Sequence, residues 1–298
     1  AAGVPVIPAT EVLGDDIAAI KREAAAVGYP LMLKASWGGG GRGMRPINTE
    51  DELEEKILEG RREAEAAFGN GEGYLEKMIL RARHVEVQIL GDTHGDIYHL
   101  YERDCSVQRR NQKVVERAPA PYLSAAQRSE ICDLGRKICA HVGYECAGTV
   151  EFVAGQDKSF YFLEMNTRLQ VEHPVTECIT GVDLVDLQLD VAEGRALPAG
   201  LGSVRAEGHA IEVRLYAEDP DAGWLPRSGT LLAFQIPEGP GVRVDTGVED
   251  GVRVGTSYDP MLAKVIAHGR DRDEARRRLV RALREAVVLG VDTNLGHL

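Results

Sequence analysis

The sequence has little of what marks several common protein classes. No apolar run approaches the roughly 18 residues of a membrane-spanning helix, and no signal peptide opens the chain. The five cysteines are odd in number and form no C-x-x-C pair, which favours thiols of a reducing compartment over a disulfide framework. The eight histidines include no H-E-x-x-H, so a structural zinc site is not expected. These absences predict a cytoplasmic chain with no membrane partner.

Positive charge is also scarce, because 35 lysines and arginines face 47 aspartates and glutamates, for a net charge of −12. A nucleic-acid partner is therefore not expected. The 298 residues are 44% hydrophobic, which allows a sizeable core and about two domains. The chain opens on "AAGVPVIPAT" without an initiator Met, and it closes on "VDTNLGHL" soon after a predicted helix, without an obvious terminator. We therefore expect a fragment of a longer protein.

Helical and extended patterns alternate along the chain. Amphipathic or capped helices are predicted at 15–27, 49–67, 124–143, 181–194 and 273–289. Thr49 with Glu52 predicts a capping box for the second of these helices, and Ser124 with Gln127 predicts one for the third. The strings "AGTVEFV" and "SFYFLEMN" predict a β-hairpin around the polar turn "AGQDK", and "ALPAGLGS" is typical of a linker. This mixture of hairpins and helices predicts an α+β fold rather than a doubly wound sheet.

The segment "KASWGGGGRGMR" joins two extended runs through five glycines. It lacks G-x-x-x-x-G-K-[ST] and leads into no clear helix, so it is neither a P-loop nor a dinucleotide-binding turn. Glycines let backbone N–H groups approach phosphate oxygens closely, and Lys34 could add a point charge. Because the segment links two extended runs, it predicts a flexible hairpin tip, and the alternative to phosphate binding is an ordinary mobile loop.

The predicted hairpin brings Glu151 roughly opposite Glu164. Two facing carboxylates repel each other unless a divalent cation lies between them. With Asn166 two residues on, the oxygen ligands suit Mg²⁺ or Mn²⁺ carrying nucleotide phosphates. The alternative is a hairpin whose acids face water.

Polar residues occupy every second position from 164 to 172, which in an extended chain would place them on one side. Among these alternate polar residues, Arg168 could bind a small planar oxyanion, with Gln170 as a neutral partner and Glu172 as general base. Arg214 is a second cation in a later strand. The alternative for the polar residues from 164 to 172 is a solvated edge strand, and the alternative for Arg214 is a charge on a surface strand.

The string "ERDCSVQRRNQKVVE" places Arg103, Arg109, Arg110 and Lys113 close together in an acidic chain. It predicts either a solvated loop or a local positive field for a polyphosphate. Cys105 beside this charge is expected to be a non-catalytic thiol, with mild activation as the alternative.

These segments, with "EKMILRARHVEVQIL", "FYFLEMNTRLQVEHPVTE", "GHAIEVRLYAEDP" and "YDPMLAKVI", together resemble the biotin carboxylase component of acyl-CoA and pyruvate carboxylases. The resemblance covers essentially the whole chain and implies an ATP-grasp domain at 1–200, with a small lid subdomain at about 10–78. It also implies a biotin carboxylase C-terminal domain at 206–298. The implied reaction uses ATP to convert bicarbonate to carboxyphosphate, whose CO₂ passes to N1 of carrier-bound biotin.

The resemblance also implies a role for each matching residue. The residues implied in ATP binding are Lys34, Gly38, Gly39, Gly40, Gly41, Gly43, Glu76, Lys77, Met78, Ile79, His84, Gln108, Asn111, Glu151 and Glu164. Those implied in metal binding are Glu151, Glu164 and Asn166. Those implied in bicarbonate binding are Lys113, Arg168, Gln170 and Val171. The implied catalytic residues are Arg168, Glu172, Lys113 and Arg214, the last of which would stabilise the biotin enolate.

Some features depart from the pattern that the resemblance implies. The chain begins after the expected N-terminal domain, and its C-terminal domain looks cut short. No A-M-K-M carrier signature is present, so biotin is expected on a separate carrier domain or chain, beside a carboxyltransferase component. A homo-oligomer or larger complex is expected, in the mitochondrial matrix if the source is eukaryotic. The open alternatives are an Mg-ATP-binding module without activity and a different bicarbonate-phosphorylating ATP-grasp ligase.

Overall fold

A computed structural model describes residues 2–37 and 44–298. The predicted phosphate-binding glycines, Gly38 to Gly41 and Gly43, lie outside the described residues. Within the described ranges, no helix combines the length and the apolar character that crossing a membrane requires. The α-helices of these ranges are α1 (Ile17–Val27), α2 (Leu53–Phe68), α3 (Ala125–Val142), α4 (His173–Thr180), α5 (Leu184–Ala192) and α6 (Arg272–Glu285).

The strands of the same ranges form two main sheets and three short pairs. The first nine strands are β1 (Leu31–Ala35), β2 (Arg45–Ile47), β3 (Gly73–Lys77), β4 (Arg83–Gly91), β5 (Ile97–Arg109), β6 (Gln112–Ala118), β7 (Cys146–Ala154), β8 (Phe160–Asn166) and β9 (His209–Tyr216). The others are β10 (Glu218–Asp219), β11 (Leu225–Pro226), β12 (Gly229–Thr230), β13 (Ala233–Gln235), β14 (Val242–Thr246), β15 (Arg253–Val254), β16 (Met261–Gly269) and β17 (Val287–Leu289). The short pairs are β10–β11, β12–β15 and β13–β17.

The smaller of two compact units comprises residues 5–82 and 153–163. Its antiparallel sheet has the order β2-β1-β3, and helices α1 and α2 supply apolar side chains to the same core. Ile20 of α1 and Ile57 of α2 are buried with Leu31, Leu33 and Leu75 of the sheet. Because β1 and β2 pair directly, the prediction that the glycine segment joins two extended runs of one hairpin is confirmed.

The larger unit comprises residues 1–4, 83–152 and 164–298. It contains most of an eight-stranded sheet of order β14-β16-β9-β6-β5-β4-β7-β8. The pairs from β14 to β4 are antiparallel. Helix α3 packs on β4 and β5, α4 packs on β9, and α6 packs on β16. Polar side chains on β4, β5, β6, β7 and β9 are thereby buried beside one another.

The helix caps test two local predictions. Ser124 and Gln127 form the predicted capping box of α3, and Gly143 ends that helix in the left-handed region at φ 60°. The predicted box of Thr49 and Glu52 is wrong, because Thr49 makes no side-chain cap bond and a 3₁₀ turn at Glu50–Glu52 precedes α2. The Glu52 carboxylate instead accepts from the backbone N–H of Asn48 at 3.0 Å.

The extended run predicted from 164 to 172 is also wrong beyond Asn166, where β8 ends. Residues 167–172 form a bend and a turn, and α4 begins at His173. Pro174 lies in the first turn of α4, where its missing N–H costs no helix hydrogen bond. The polar residues of this stretch therefore do not follow one side of a strand, and the turn directs them separately.

Two other boundaries differ from the sequence patterns. The predicted linker contains a 3₁₀ helix at Ala199–Ser203, and Leu197 and Leu201 are buried in a core cluster with Leu90 and Leu184. The predicted closing helix ends at Glu285, and the apolar residues after it form β17. At the linker, burial of the leucine side chains accounts for the local structure, whereas the residues of β17 are held by antiparallel pairing with β13.

Candidate active site

Arg103 of β5 is the largest fully buried side chain of the described residues. Its guanidinium donates to the Glu86 carboxylate at 2.6 Å. Its other acceptors are Gln88 Oε1, Thr176 Oγ1, Thr149 Oγ1 and Gln170 Oε1. A buried guanidinium is stable only when its five N–H donors are paired, and these contacts pair them. The sequence context of Arg103 suggested a solvated loop or a positive field. The structure shows neither, because Arg103 is fully buried.

Lys113 of β6 lies where three carboxylates converge. Its Nζ is 2.5 Å from Glu86 Oε2, 2.7 Å from Glu172 Oε1 and 2.9 Å from Glu151 Oε1. Burial alone would lower the pKa of Lys113, but the surrounding carboxylates, Glu86 above all, raise it well above its ordinary value. The surrounding carboxylates therefore favour the charged form of this ammonium.

Glu151 of β7 is held on several sides. Its Oε1 accepts from Gln170 Nε2 at 2.8 Å and from Asn166 Nδ2 at 3.0 Å, and its Oε2 lies 3.0 Å from His84 Nε2. Burial opposes ionisation of Glu151, yet the hydrogen bond with His84 and the charge of Lys113 lower its pKa. Burial also opposes a charged His84, but the nearby carboxylates of Glu151 and Glu86 raise the pKa of that imidazole to about 9.

Glu172 occupies the N-cap position of α4 and is 2% exposed. Its Oε1 accepts from Lys113, and its Oε2 accepts from Arg214 at 2.9 Å. Burial and the neighbouring Glu86 raise the pKa of Glu172, although Lys113, Arg103 and Arg214 oppose that rise. The carboxylate is therefore a better proton acceptor than an exposed glutamate, and two cations fix its orientation.

Arg214 of β9 connects Glu172 to a further buried acid. Its Nε donates to Glu116 Oε1 at 2.6 Å, while Glu116 Oε2 has no partner among the described residues. Burial raises the pKa of Glu116 to about 7, against the lowering effect of Arg214. The next acid along β9, Glu212, faces Glu116 across the β6–β9 pair, and burial raises its pKa well above the ordinary range.

Other predicted site residues are not part of this buried cluster. Glu164 is exposed, so its pairing with Glu151 about a metal stays a prediction. Arg168 is exposed too, and its guanidinium donates to Asn166 Oδ1 and to the Leu169 carbonyl, both at 3.3 Å. Asn111 is exposed in the turn between β5 and β6.

Gln108 and Cys105 contact each other at the end of β5. The Gln108 side chain donates to the Cys105 carbonyl at 2.8 Å, and the role of Gln108 in ATP binding stays a prediction. Cys105 is fully buried, and burial raises the pKa of its thiol well above the ordinary value. A thiol held protonated is a poor nucleophile, so the alternative of an activated Cys105 is disfavoured.

Five of the predicted nucleotide-binding residues lie in the described part of the smaller unit, namely Lys34, Glu76, Lys77, Met78 and Ile79. Lys34 of β1 forms an ion pair with Glu76 of β3. The Lys77 ammonium donates to the carbonyls of Gly28 and Tyr29 at 2.9 and 2.7 Å. The backbone N–H of Met78 donates to the Pro30 carbonyl at 3.0 Å, and Ile79 follows in the same irregular segment, partly buried. The nucleotide roles of these residues stay predictions.

The predicted metal ligands supply oxygen donors only. Two carboxylates and an amide suit a hard cation such as Mg²⁺, and the Asn166 amide does lie beside Glu151. The donor chemistry therefore fits Mg²⁺. A second group, His84, Glu86 and Glu151, has ligand atoms within 4.8 Å of one another, but Lys113 bonds both of its carboxylates.

The sequence patterns gave no role to two residues of the cluster, Glu86 and Glu116, and placed Arg103 in a solvated loop or a positive field rather than in the buried cluster. Glu86 alternates with His84 and Gln88 on one face of a strand whose other face is apolar, which was a usable signal. Nothing in the sequence pointed to Glu116, because its partner Arg214 is 98 positions away along the chain.

Comparisons with known proteins agree with this architecture. A family model described as carbamoyl-phosphate synthase L chain, ATP binding domain, matches residues 1–200. A second, described as biotin carboxylase C-terminal domain, matches residues 212–298. Biotin carboxylase 2 of Bacillus subtilis is 50% identical over 295 residues, which cover 99% of this chain and 66% of that protein. The mitochondrial methylcrotonoyl-CoA carboxylase subunit alpha of Dictyostelium discoideum is 47% identical over all of this chain and 43% of that protein.

A solved structure adds a comparison of coordinates. The biotin carboxylase domain dimer of Hydrogenobacter thermophilus 2-oxoglutarate carboxylase, in complex with MgADP, ADP and bicarbonate, matches with a TM-score of 0.91. It is 44% identical, over 99% of this chain and 65% of that chain. The fold and the matched domains define an ATP-grasp protein with an α+β architecture, as predicted. Within that class, the chain belongs to the family of biotin carboxylase components of biotin-dependent carboxylases. It spans two thirds or less of the length of the relatives named here.

Replacing Arg103 tests the buried hub, by which we mean Arg103 and the side chains that accept its hydrogen bonds. Arg103→Met should lower the free energy of unfolding by about 3 kcal/mol, because Glu86 and Gln88 lose their buried donor. Urea unfolding at pH 7 measures the change. Arg276→Met, on the exposed face of α6, is the matched control and should stay within about 0.5 kcal/mol. A loss for Arg103→Met no larger than that of the control would contradict the hub.

Glu116 makes a pH-dependent prediction. Its pKa of about 7 lies above the ordinary 4.5, so the folded state holds a proton that the unfolded state has lost between these values. The stability that this proton contributes is full below 4.5 and disappears as the pH rises through 7. Glu116→Gln does not titrate, so its stability relative to the parent should rise by about 1 to 3 kcal/mol across that range. Urea unfolding at several pH values measures this, and a pH-independent difference would show that Glu116 is ionised throughout.

Proposed function

We propose that the chain carries out the ATP-dependent carboxylation of carrier-bound biotin with bicarbonate, through carboxyphosphate. This is the first half-reaction of an acyl-CoA or pyruvate carboxylase. The observation that carries the proposal is the position of Glu172, a buried carboxylate between the ammonium of Lys113 and the guanidinium of Arg214. The carboxylate can accept a proton from a small oxyacid, and the two cations beside it can hold the resulting anion in place.

Glu172 acts as the general base for bicarbonate. Removing the proton of bicarbonate leaves an oxygen nucleophile that attacks the γ-phosphorus of ATP, with ADP as the leaving group. The raised pKa of Glu172 favours its role as acceptor, because it is closer to neutral pH than that of an exposed glutamate. Arg168, Gln170 and Val171 of the same turn hold the bicarbonate, with Arg168 exposed and free to approach an incoming anion.

Lys113 holds the phosphoryl group during transfer and then the carboxyphosphate. Its charge is secured by the carboxylates around it, so it remains an electrostatic partner for the developing negative charge. Arg214 stabilises the enolate of the biotin ring when N1 loses its proton. Glu116 and Glu172 keep the guanidinium charged, because their proximity raises the pKa of Arg214 against the lowering effect of burial.

The nucleotide is held by the remaining predicted residues. Lys34 and the glycines Gly38 to Gly41 and Gly43 contact its phosphates, and the segment from Glu76 to Ile79 lines the adenine. His84, Gln108 and Asn111 complete the nucleotide-binding set. Glu151, Glu164 and Asn166 would hold Mg²⁺, which when bound neutralises phosphate charge; Mn²⁺ is the alternative ion. In this proposal residues 1–200 form the ATP-grasp domain, with a lid subdomain at about 10–78, and residues 206–298 form the biotin carboxylase C-terminal domain.

The partners follow from the reaction. A biotin carrier domain and a carboxyltransferase component complete the carboxylase, and the dimer of the related structure supports a homo-oligomer. The five free cysteines support a reducing compartment such as the cytoplasm, or the mitochondrial matrix if the source is eukaryotic, and the names of several relatives print "mitochondrial". The alternative function is an Mg-ATP-binding module of such a carboxylase without activity of its own.

Glu172→Gln separates proton removal from nucleotide binding. The variant should keep the Kd for MgATP within about twofold, while bicarbonate-dependent ATP hydrolysis falls by about 100-fold or more, because an amide cannot accept the proton. Calorimetric titration and phosphate release measure the two effects. Glu193→Gln, an exposed acid after α5, is the control and should change neither. Equal loss of binding and hydrolysis would overturn the assignment of the base.

Lys34→Ala tests the phosphate contact. Loss of one charged hydrogen bond should raise the Kd for MgATP about tenfold. Lys21→Ala removes an exposed lysine of α1 in the same unit and should leave that Kd unchanged. An unchanged Kd for Lys34→Ala, measured by the same titration, would refute the role of Lys34.

A further inference from the structure

The motif "YDPMLAKVI" has no role in the reaction as described so far. Its lysine, Lys264 of β16, is 9% exposed and pairs in register with Arg214 of β9. The Lys264 ammonium donates to the backbone carbonyl of Val171 at 3.0 Å. Two cations on neighbouring strands therefore reach consecutive residues of the same turn, since Arg214 bonds the side chain of Glu172.

The ammonium is itself held from the edge of the sheet. Its Nζ lies 3.1 Å from Asp245 Oδ2 on β14. Arg243 donates two hydrogen bonds to the same carboxylate, at 2.6 and 2.9 Å. Burial would raise the pKa of Asp245, but hydrogen bonds from Arg243 and Lys264 lower it. Arg243 also donates to Glu177 of α4 at 2.7 Å, so one network holds the turn and the helix that follows it.

Residues 167–172 have no strand partner, because β8 ends at Asn166. The shape of this turn therefore depends on individual contacts rather than on a ladder of backbone hydrogen bonds. A charged donor at a buried carbonyl restricts the backbone more firmly than a neutral one. The carbonyl that Lys264 holds lies between Gln170 and Glu172, which bond Glu151 and Lys113 respectively.

We propose that Lys264, anchored by Asp245 and Arg243, is a positioning residue that fixes the turn carrying Gln170, Val171 and Glu172 for bicarbonate. This rests on the proposed function, which places bicarbonate at that turn. The ammonium of Lys264 bonds the Val171 carbonyl and the Asp245 carboxylate, so we expect its removal to act through the turn. A displacement of about 1 Å at a reacting group can cost about 100-fold in rate.

Kinetics of three variants test the effect on bicarbonate. Lys264→Met should lower kcat/KM for bicarbonate about 10- to 100-fold while KM for ATP changes less than about twofold. Lys264→Arg keeps a charged donor and should recover most of the loss, and Asp245→Asn should give an intermediate loss. Lys137→Met is the matched control, because that exposed lysine also donates to a backbone carbonyl, that of Gly3. Equal losses for ATP and bicarbonate, or no rescue by arginine, would overturn the proposal.

Hydrogen exchange tests the same claim without any activity. In Lys264→Met, the amides of residues 168–173 should exchange about tenfold faster than in the parent, while those of β4 and β5 are unchanged. Uniform acceleration throughout the chain, or none in the turn, would contradict positioning. If the parent shows no bicarbonate-dependent hydrolysis, the proposed function fails, and the exchange data still decide whether Lys264 fixes the turn. If Lys264→Met does not fold, Asp245→Asn provides both measurements.

Discussion

Burial of several carboxylates beside a single ammonium is the constraint on which the site depends. Lys113 contacts Glu86, Glu151 and Glu172, and its charge favours the ionised form of each acid against the cost of burial. Arg103 supports the arrangement from behind by bonding Glu86. An incoming anion would compete for Lys113, so the same interaction that stabilises the fold also prepares the site for a negatively charged substrate.

The charges are arranged as a chain rather than as isolated pairs. Going outward from Lys113, Glu172 is followed by Arg214 and then by Glu116, so each charged group contacts one of opposite sign. At the far end, Glu116 faces Glu212, and burial raises the pKa values of both acids. Two facing buried acids are tolerated when protons remain on them. The site thus combines fixed cations with acids whose ionisation depends on their neighbours.

Local patterns predicted much of the fold. The capping box of α3, the hairpin of β7 and β8, and the pairing of β1 with β2 all depend on neighbouring residues, and the structure has them. The extended run through Glu172 failed because alternation cannot distinguish a strand from a turn whose residues have separate partners. The misassigned environment of Arg103 has a similar cause, since its burial depends on acceptors from four other elements or turns.

The sequence by itself determined the α+β class, the family resemblance and the chemical types of the site, because glycine runs, acids and amides at fixed spacings are local properties. Only the tertiary structure decided which acid meets which cation. Glu116 reaches Arg214 and Val171 reaches Lys264 only because β6, β9 and β16 are neighbours in one sheet. Strand order follows from burial summed over the whole chain, and no short stretch of residues contains that information.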